Sequence, residues 1–212
     1  MTDHNPLRIL GLDEAGRGCV LGPLVVGAFC CLKADLDALT RTGATDSKAL
    51  SAKRRRAIRQ TLPDHGQGRL IEISPAQIDA RNINELEEEA FLDHILHFRP
   101  DRVIIDAPVH PRGIPRVKKR LAAALAKQGL SPELVIEPKA DANHVPVGAA
   151  SIFAKVQRDA RIEALGPVGS GYPSDPKTRK WIQGFMQRNE PLPDCVRKRW
   201  GTIEALRQQT LF

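Results

Sequence analysis

The chain has 212 residues, 42% of them apolar and 27% charged, which is typical of a folded protein and not of a disordered one. That length accommodates one large domain with a hydrophobic core and a small appendage. Lysine and arginine outnumber aspartate and glutamate by 32 to 25, and the net charge of +7 favours a polyanionic partner. No apolar run is long enough to span a bilayer, and no charged leader followed by an apolar run opens the chain.

The four cysteines show no CxxC spacing and lie mostly in apolar, strand-like segments, so we interpret them as reduced core residues. We therefore expect a cytoplasmic protein that does not enter a membrane. A monomer is the expected state, because no interface is identifiable from the sequence.

Branched apolar runs predict five strands along the chain. They are Arg8 to Asp13, Leu24 to Leu32, Leu70 to Ile73, Arg102 to Ala107 and Leu134 to Ile136. The short GCVLGP link makes the first two an antiparallel pair. A helical segment separates the last two, so they are expected to run parallel through a right-handed crossover. The expected fold class is α/β, with a mixed five-stranded sheet flanked by helices.

Apolar residues at helical spacing predict helices between and after these strands. The segments are Ile83 to Phe98, Ile114 to Leu125, Ala149 to Ala160, Thr178 to Asn189 and Gly201 to Gln209. Asn82 is the expected cap of the first helix, and Gly129 ends the second. A stretch rich in glycine and proline runs from Gly166 to Pro176. We predict a catalytic α/β domain over residues 1–165, with a C-terminal loop and helical extension over residues 166–212 packed on it.

Three of the predicted strands end in an acidic residue or lead into one. Asp13 and Glu14 close ILGLDE, Asp106 closes VIIDAP, and Asp141 follows LVIEPKA. A single aspartate at a strand end is most often a turn or cap residue, but its recurrence at three strands favours a shared cleft. Carboxylates gathered there repel one another and stay ionised only with a cation between them. Oxygen ligands without cysteine or histidine suit Mg²⁺ or Mn²⁺ better than zinc.

Asp13 and Glu14 are adjacent, and adjacent side chains on a regular strand point to opposite faces. We therefore expect Glu14 to lie beyond the strand end, where the following glycines permit a bend. Two cations held by such acids hydrolyse phosphodiesters, one activating water and the other stabilising the leaving oxygen. A phosphate-binding NTP loop is disfavoured at GLDEAGRG, because the Gly-Lys-Ser/Thr ending is missing and the acids would repel phosphate.

Six segments, in chain order, are similar to the motifs of one known family. They are GLDEAGRGCVLGPLVVGA from residue 11, DSKAL from 46, IIDAP from 104, KADANHVPVGAASIFAKVQRD from 139, GSGYPSDPKT from 169 and VRKRW from 196. Together they resemble ribonuclease HII, in a form similar to the archaeal branch and the eukaryotic catalytic subunit. The resemblance covers nearly the whole chain, and a run as long as GLDEAGRG is highly specific.

The resemblance implies a ribonuclease H-like fold with a C-terminal helical extension. It also implies a metal-dependent endonuclease that cuts the RNA strand of RNA/DNA hybrids and nicks DNA duplexes 5′ to a single embedded ribonucleotide, leaving 3′-hydroxyl and 5′-phosphate ends. The partners are then RNA/DNA hybrids and DNA duplexes that contain ribonucleotides. Carried over by motif, the catalytic acids that hold two Mg²⁺ or Mn²⁺ ions are Asp13, Glu14, Asp106 and Asp141.

The same resemblance implies a set of substrate-binding residues. They are Gly16, Arg17, Gly18, Lys48, Lys155 and Tyr172. The backbone of the Gly-Arg-Gly stretch would read the ribose 2′-hydroxyl, which distinguishes RNA from DNA and needs the close approach that glycine allows. Tyr172 would pack against the next nucleotide, and the two lysines would approach phosphates. The alternatives are a plain glycine turn, an aromatic that pins its loop to the core, and solvated lysines.

Other residues are open to more than one interpretation. Arg54 to Arg56 are expected to begin an exposed helical face, with contact to DNA as the alternative. His144 serves either in proton transfer or as a solvated or capping residue. Cys19 stands where the family more often has proline, and Pro146 suits the first turn of a helix.

Two rival functions remain at this stage. One is a DNA nuclease or strand-transfer enzyme on the same acidic sheet, which would also cut all-DNA substrates. The other is a catalytically silent hybrid-binding protein, which would show salt-sensitive binding without turnover.

Overall fold

A mixed five-stranded sheet forms the centre of the protein in the computed structural model, which describes residues 6–45, 47 and 49–210. The strands are β1 (Arg8–Ala15), β2 (Leu24–Leu32), β3 (Gln67–Ile73), β4 (Arg102–Asp106) and β5 (Glu133–Glu137). Their order is β3-β2-β1-β4-β5, with β2 antiparallel to both its neighbours and β4 parallel to both of its own. This confirms the predicted mixed sheet, including the antiparallel first pair and the parallel last pair.

The helices pack on the two faces of this sheet and beyond its end. Those in the described part are α1 (Leu36–Arg41), α2 (Ala52–Thr61), α3 (Pro75–Ala80), α4 (Ile83–Phe98), α5 (Ile114–Ala126), α6 (Ala140–Asn143), α7 (Val145–Glu163), α8 (Pro176–Gln187) and α9 (Gly201–Thr210). Asn82 caps α4 as predicted, since its side-chain oxygen accepts a hydrogen bond from the Asn84 amide at 2.9 Å. Pro146 lies in the first turn of α7, also as predicted.

The side chains of β1 alternate between the two helical layers, as a strand requires. Leu10 and Leu12 are fully buried in the main hydrophobic cluster, which α4 and α5 cover. Ile9 faces the other way, in a smaller cluster with Val147 of α7. Each fully buried leucine contributes about 1.5–3 kcal/mol. Odd positions of β1 therefore face α7, and even positions face α4.

Two glycines let α7 lie unusually close to the sheet. A Cβ on Gly11 of β1 would lie 2.2 Å from the carbonyl carbon of Pro146, and one on Gly27 of β2 would lie 2.3 Å from the Ala150 oxygen. Since real Cβ atoms do not approach backbone so closely, only glycine fits at these positions. The contact brings the middle of α7 beside the last residues of β1.

The C-terminal segment packs against the link between β1 and β2. Val20 and Leu21 of that link share a buried apolar cluster with Ile182 of α8 and Ile203 of α9. The Gly22 amide also donates a hydrogen bond to the Cys195 carbonyl at 2.8 Å. The division of the chain at residue 165 stays a prediction. Within the described residues, no helix combines the length and the apolar character that a membrane crossing requires.

Candidate active site

Three aspartates meet at the carboxyl ends of neighbouring parallel strands. Asp13 is near the end of β1 and Asp106 ends β4; the two strands pair in register from Ile9 with Arg102 to Leu12 with Ile105. Asp141 lies on α6, which follows β5, the strand next to β4. Because parallel strands end at the same edge of a sheet, the topology itself brings these side chains together. One carboxylate oxygen from each lies within 4.8 Å of the others.

The protein satisfies only part of the hydrogen-bonding capacity of this group. One oxygen of Asp13 accepts from the Glu14 amide at 2.8 Å, and one of Asp106 accepts from the Ala140 amide at 3.1 Å. Asp141 is 3% exposed, and its Oδ2 has no hydrogen-bond partner among the described residues. A buried carboxylate oxygen without a partner is costly unless something else binds it.

The electrostatics of the site favour a bound cation. Burial raises the pKa of Asp13 well above its ordinary value, and the Glu14 and Asp106 carboxylates raise it further, while Ser151 and Lys155 oppose the change. A divalent cation between the carboxylates would remove that penalty. The ligand set is oxygen alone, and Asp141, one of its three members, has an oxygen without a hydrogen-bond partner among the described residues. The residues therefore fit a hard divalent ion.

Glu14 corrects one expectation from the sequence. It does not lie beyond the strand, because β1 continues to Ala15 with Glu14 paired to Val26. Its side chain is consequently on the opposite face from Asp13, and it is not part of the group of three aspartates. It still lines the same cleft. Burial first, then the Glu87 carboxylate, raises the pKa of Glu14 to about 8.

Asp13, Glu14 and Asp106 line a cleft of about 360 Å³, and most of the predicted substrate-binding residues line it as well. They are Gly16, Arg17, Gly18, Lys155 and Tyr172. Gly16 has a φ of +88°, which an L-residue adopts only with strain. Tyr172 keeps 36% of its surface exposed, and the Arg158 guanidinium lies 4.7 Å from the centre of its ring.

Lys155 extends from α7 toward the acids. Its ammonium donates to the Ser47 hydroxyl and, at 3.0 Å, to the Ser151 hydroxyl. Ser151 also hydrogen-bonds Asp13, so a polar chain links Lys155 to the carboxylates. Lys48, the other predicted lysine, lies outside the described residues. His144 immediately precedes α7, and its Nε2 lies 3.0 Å from a Glu137 oxygen.

Several cleft residues were missed or misjudged in the sequence. Arg55 does not point outward as expected: its guanidinium donates to the carbonyls of Ser47 and Leu50 and pairs with Asp159 at 3.1 Å. Arg158 pairs with the same aspartate at 3.0 Å. The detectable signal was the spacing on α7, since Arg158 and Asp159 follow Lys155 by three and four positions and so share its side of the helix.

Two further residues hold the Gly16–Gly18 loop, and the sequence predicted neither. Arg197, fully buried, donates to the carbonyl oxygens of Gly16, Arg17 and Gly22. Glu87 of α4, also fully buried, pairs with the Arg17 side chain. Burial raises the pKa of Glu87 to about 7, although the Arg17 guanidinium opposes the change.

Comparison with known proteins bears on what this arrangement does. The sequence profile described as Ribonuclease HII matches residues 10–203. A ribonuclease HII from Archaeoglobus fulgidus is 39% identical over 210 residues, which cover 95% of this chain and 97% of that protein. The chain belongs to the ribonuclease HII family.

Two solved structures of high similarity agree with this membership. The ribonuclease H2 of Pyrococcus horikoshii OT3 superposes with a TM-score of 0.83 at 36% identity, covering 97% of this chain and 99% of that one. The Archaeoglobus fulgidus enzyme, solved as a PCNA:RNase HII complex, gives a TM-score of 0.84 at 39% identity, covering 96% and 98%. The expected ribonuclease H-like fold is confirmed, and the protein is a ribonuclease H endonuclease. The family is metal-dependent, in keeping with the buried aspartates.

Proposed function

We propose that this protein nicks duplex DNA 5′ to a single embedded ribonucleotide and cuts the RNA strand of RNA/DNA hybrids, leaving 3′-hydroxyl and 5′-phosphate ends. One observation carries the proposal: a single cleft is lined by Asp13, Glu14 and Asp106 and by the Gly16–Gly18 loop. A phosphate beside the carboxylates would then have its neighbouring ribose against the loop. The net charge of +7 suits a nucleic-acid substrate.

The Gly16–Gly18 loop is suited to inspecting a ribose. Gly18 is exposed at the cleft, so the backbone there approaches a sugar without an intervening Cβ. Arg197 engages the carbonyl oxygens of Gly16 and Arg17 from the protein side, at 2.6 and 2.9 Å. The loop is thus fixed before substrate binds, and little conformational entropy is lost on recognition of the 2′-hydroxyl.

Asp13, Asp106 and Asp141 would hold one Mg²⁺ or Mn²⁺ ion, and Glu14 would contribute to a second one from across the same cleft. When bound, such cations activate water and stabilise the leaving oxygen. The protein's own groups orient the substrate around that centre. Lys155, anchored by Ser151, offers a positive charge to the phosphate backbone. Tyr172 offers an exposed face for the following nucleotide, an interaction worth about 1–3 kcal/mol.

The remaining parts of the proposal concern state and partners. We propose that the protein is a monomer and that it acts in the cytoplasm. Its buried cysteines Cys19, Cys30 and Cys31 are free thiols, as expected in that compartment. The Archaeoglobus fulgidus relative was solved with PCNA, so PCNA is a proposed partner here too. Calorimetric titration with PCNA tests this point, and no heat of binding would contradict it.

Asp106→Asn tests the metal centre without relying on activity alone. The variant keeps the size of the side chain but removes a charge from the acid cluster. Mg²⁺ or Mn²⁺ should raise the unfolding temperature of the wild type, and much less that of the variant, because only the native wild-type site binds the ion. Cleavage should be abolished in the variant while its circular dichroism spectrum stays native. Full activity in the variant would contradict the assignment.

A further inference from the structure

Arg17 and Glu87 are far apart in sequence, yet their side chains form an ion pair beside the cleft. One guanidinium nitrogen of Arg17 donates to Glu87 Oε2, and the other donates to Asn84 Oδ1. Asn84 and Glu87 are three positions apart on α4 and so lie on the same side of that helix. Both ends of the guanidinium fork are therefore held by one rigid element.

Glu87 is a poor choice for stability alone. Its side chain is 1% exposed, and its Oε1 has no hydrogen-bond partner among the described residues. A buried acid of this kind is often no more stable than an apolar residue of similar volume. The apolar packing of α4 comes from neighbours such as Leu86, Ala90 and Phe91. The other carboxylate oxygen of Glu87 accepts a hydrogen bond from Arg17. This contact points to a role for Glu87 at the Gly16–Gly18 loop.

We propose that Glu87 is a positioning residue for substrate recognition: by holding Arg17 against α4, it fixes the Gly16–Gly18 backbone that faces the ribose. This inference rests on the proposed function, since it requires that the loop reads the ribose. Arg17 is the residue of the loop with a side chain, and the glycines on either side allow the backbone many conformations. Anchoring that one side chain restricts all three residues. Arg197 fixes the carbonyl side of the loop, and Glu87 fixes its side chain.

The decisive variant is Glu87→Leu, which keeps approximate volume but removes the carboxylate. Its unfolding temperature should equal or exceed that of the wild type, because an unfavourable buried acid is gone while Arg17 still reaches water. Its kcat/KM on a duplex with one ribonucleotide should fall by about ten- to a hundredfold, because the loop is no longer held in place. Glu87→Gln should retain most of the activity, because its amide oxygen still accepts from Arg17.

A double-mutant cycle with Arg17 separates this role from a general effect on the fold. Arg17→Met alone should lower kcat/KM to a similar extent, and adding Glu87→Leu to it should cause little further loss, because both changes break one contact. The matched control is Glu89→Leu, which removes an acid from the exposed face of α4, where Glu89 pairs with Arg81. The kcat/KM of this control variant should stay within about twofold of the wild-type value.

Three outcomes would overturn the proposal for Glu87. They are unchanged kcat/KM in Glu87→Leu, a parallel fall of unfolding temperature and activity, and additive losses in the cycle. If Glu87→Leu does not fold, Arg17→Met is compared with Glu87→Gln instead. Equal losses of kcat/KM in these two variants, or no loss in Arg17→Met, would contradict the positioning role of Glu87. The wild type is assayed first on duplexes with and without the ribonucleotide. If the wild type shows no preference for the duplex with the ribonucleotide, the proposed function itself is overturned. This assay therefore distinguishes failure of the proposed function from failure of the proposal for Glu87.

Discussion

Arg197 donates a hydrogen bond to the carbonyl oxygen of Gly16 across 2.6 Å, although 181 positions separate the two residues. The same guanidinium reaches the carbonyls of Arg17 at 2.9 Å and Gly22 at 3.1 Å. Burial lowers the pKa of Arg197 to about 10, so the charge costs free energy that the three hydrogen bonds offset. The C-terminal segment thus completes the loop that lines the acidic cleft.

Arg197→Lys should therefore affect both stability and recognition. A lysine keeps the charge but cannot span three carbonyls, so we expect a loss of about 2–4 kcal/mol in the free energy of unfolding. Cleavage of a single-ribonucleotide duplex should fall by about tenfold or more. Urea denaturation and steady-state kinetics measure the two effects. Lys198→Ala is the control, since Lys198 is 45% exposed and pairs with Asp194. Wild-type behaviour of Arg197→Lys in both assays would refute this role.

Gly18→Val tests the reading of the ribose with little risk to the fold. A Cβ on Gly18 would lie 4.0 Å from Cε1 of Tyr172, an ordinary contact, so the protein itself accommodates a Cβ there. The added atoms would occupy the space between loop and tyrosine. We expect a free energy of unfolding within about 1 kcal/mol of the wild type. The preference for a ribonucleotide over all-DNA duplex should fall by about tenfold or more. A preserved preference in competition assays counts against backbone reading.

Gly11→Ala tests the close contact between α7 and the sheet. The new Cβ would overlap the backbone of Pro146, which cannot move without shifting α7. We expect a loss of about 2–3 kcal/mol in the free energy of unfolding, measured by urea denaturation. Gly201→Ala is the control: no atom lies within 4 Å of its Cβ, and a loss under about 0.5 kcal/mol is expected. Equal stability of the two variants would show that the contact is looser than described.

The sequence predicted the acids but not all of their geometry. Asp13 and Asp106 were found because each closes an apolar strand, and parallel neighbours bring such ends together. Glu14 was placed wrongly, because an apolar run does not reveal that the strand continues through a charged pair to Ala15. Arg55 was taken for an exposed residue, since nothing in a basic helix predicts that carbonyls of a preceding loop will accept from it.

Glu87 and Arg197 mark the limit of prediction from sequence. Glu87 belongs to a run of three glutamates that resembles a solvated helix face, yet it is buried against Arg17. Arg197 lies among basic residues that are exposed, whereas its own side chain is fully buried. Both depend on contacts between distant parts of the chain, and local periodicity carries no information about such contacts.

His94 should make stability depend on pH. Its Nδ1 lies 3.2 Å from an Arg69 nitrogen and its Nε2 lies 3.2 Å from the Val26 carbonyl oxygen. Burial lowers the pKa of His94 to about 4, and Arg69 and His97 lower it further, while the hydrogen bond to the Val26 carbonyl and the Asp93 carboxylate oppose the change. The folded protein thus gains stability from the neutral His94 ring. This gain is fully present above about pH 6.5, the pKa of histidine in the unfolded chain, and is lost as pH falls toward 4. The loss amounts to about 3 kcal/mol in the free energy of unfolding.

His94→Gln should remove this dependence. The free energy of unfolding, measured by urea denaturation at intervals from pH 7 to pH 4, should fall less steeply in the variant than in the wild type. Parallel curves for His94→Gln and the wild type would contradict a buried neutral histidine.

Cleavage of three end-labelled duplexes tests the central claim most directly. One duplex is all DNA, one is DNA with a single embedded ribonucleotide, and one is an RNA/DNA hybrid; each is incubated with Mg²⁺, Mn²⁺ or chelator. We predict a metal-dependent nick 5′ to the lone ribonucleotide and cutting of the hybrid's RNA strand, with the all-DNA duplex intact. Cutting of the all-DNA duplex, or no cutting with either metal, would contradict the account.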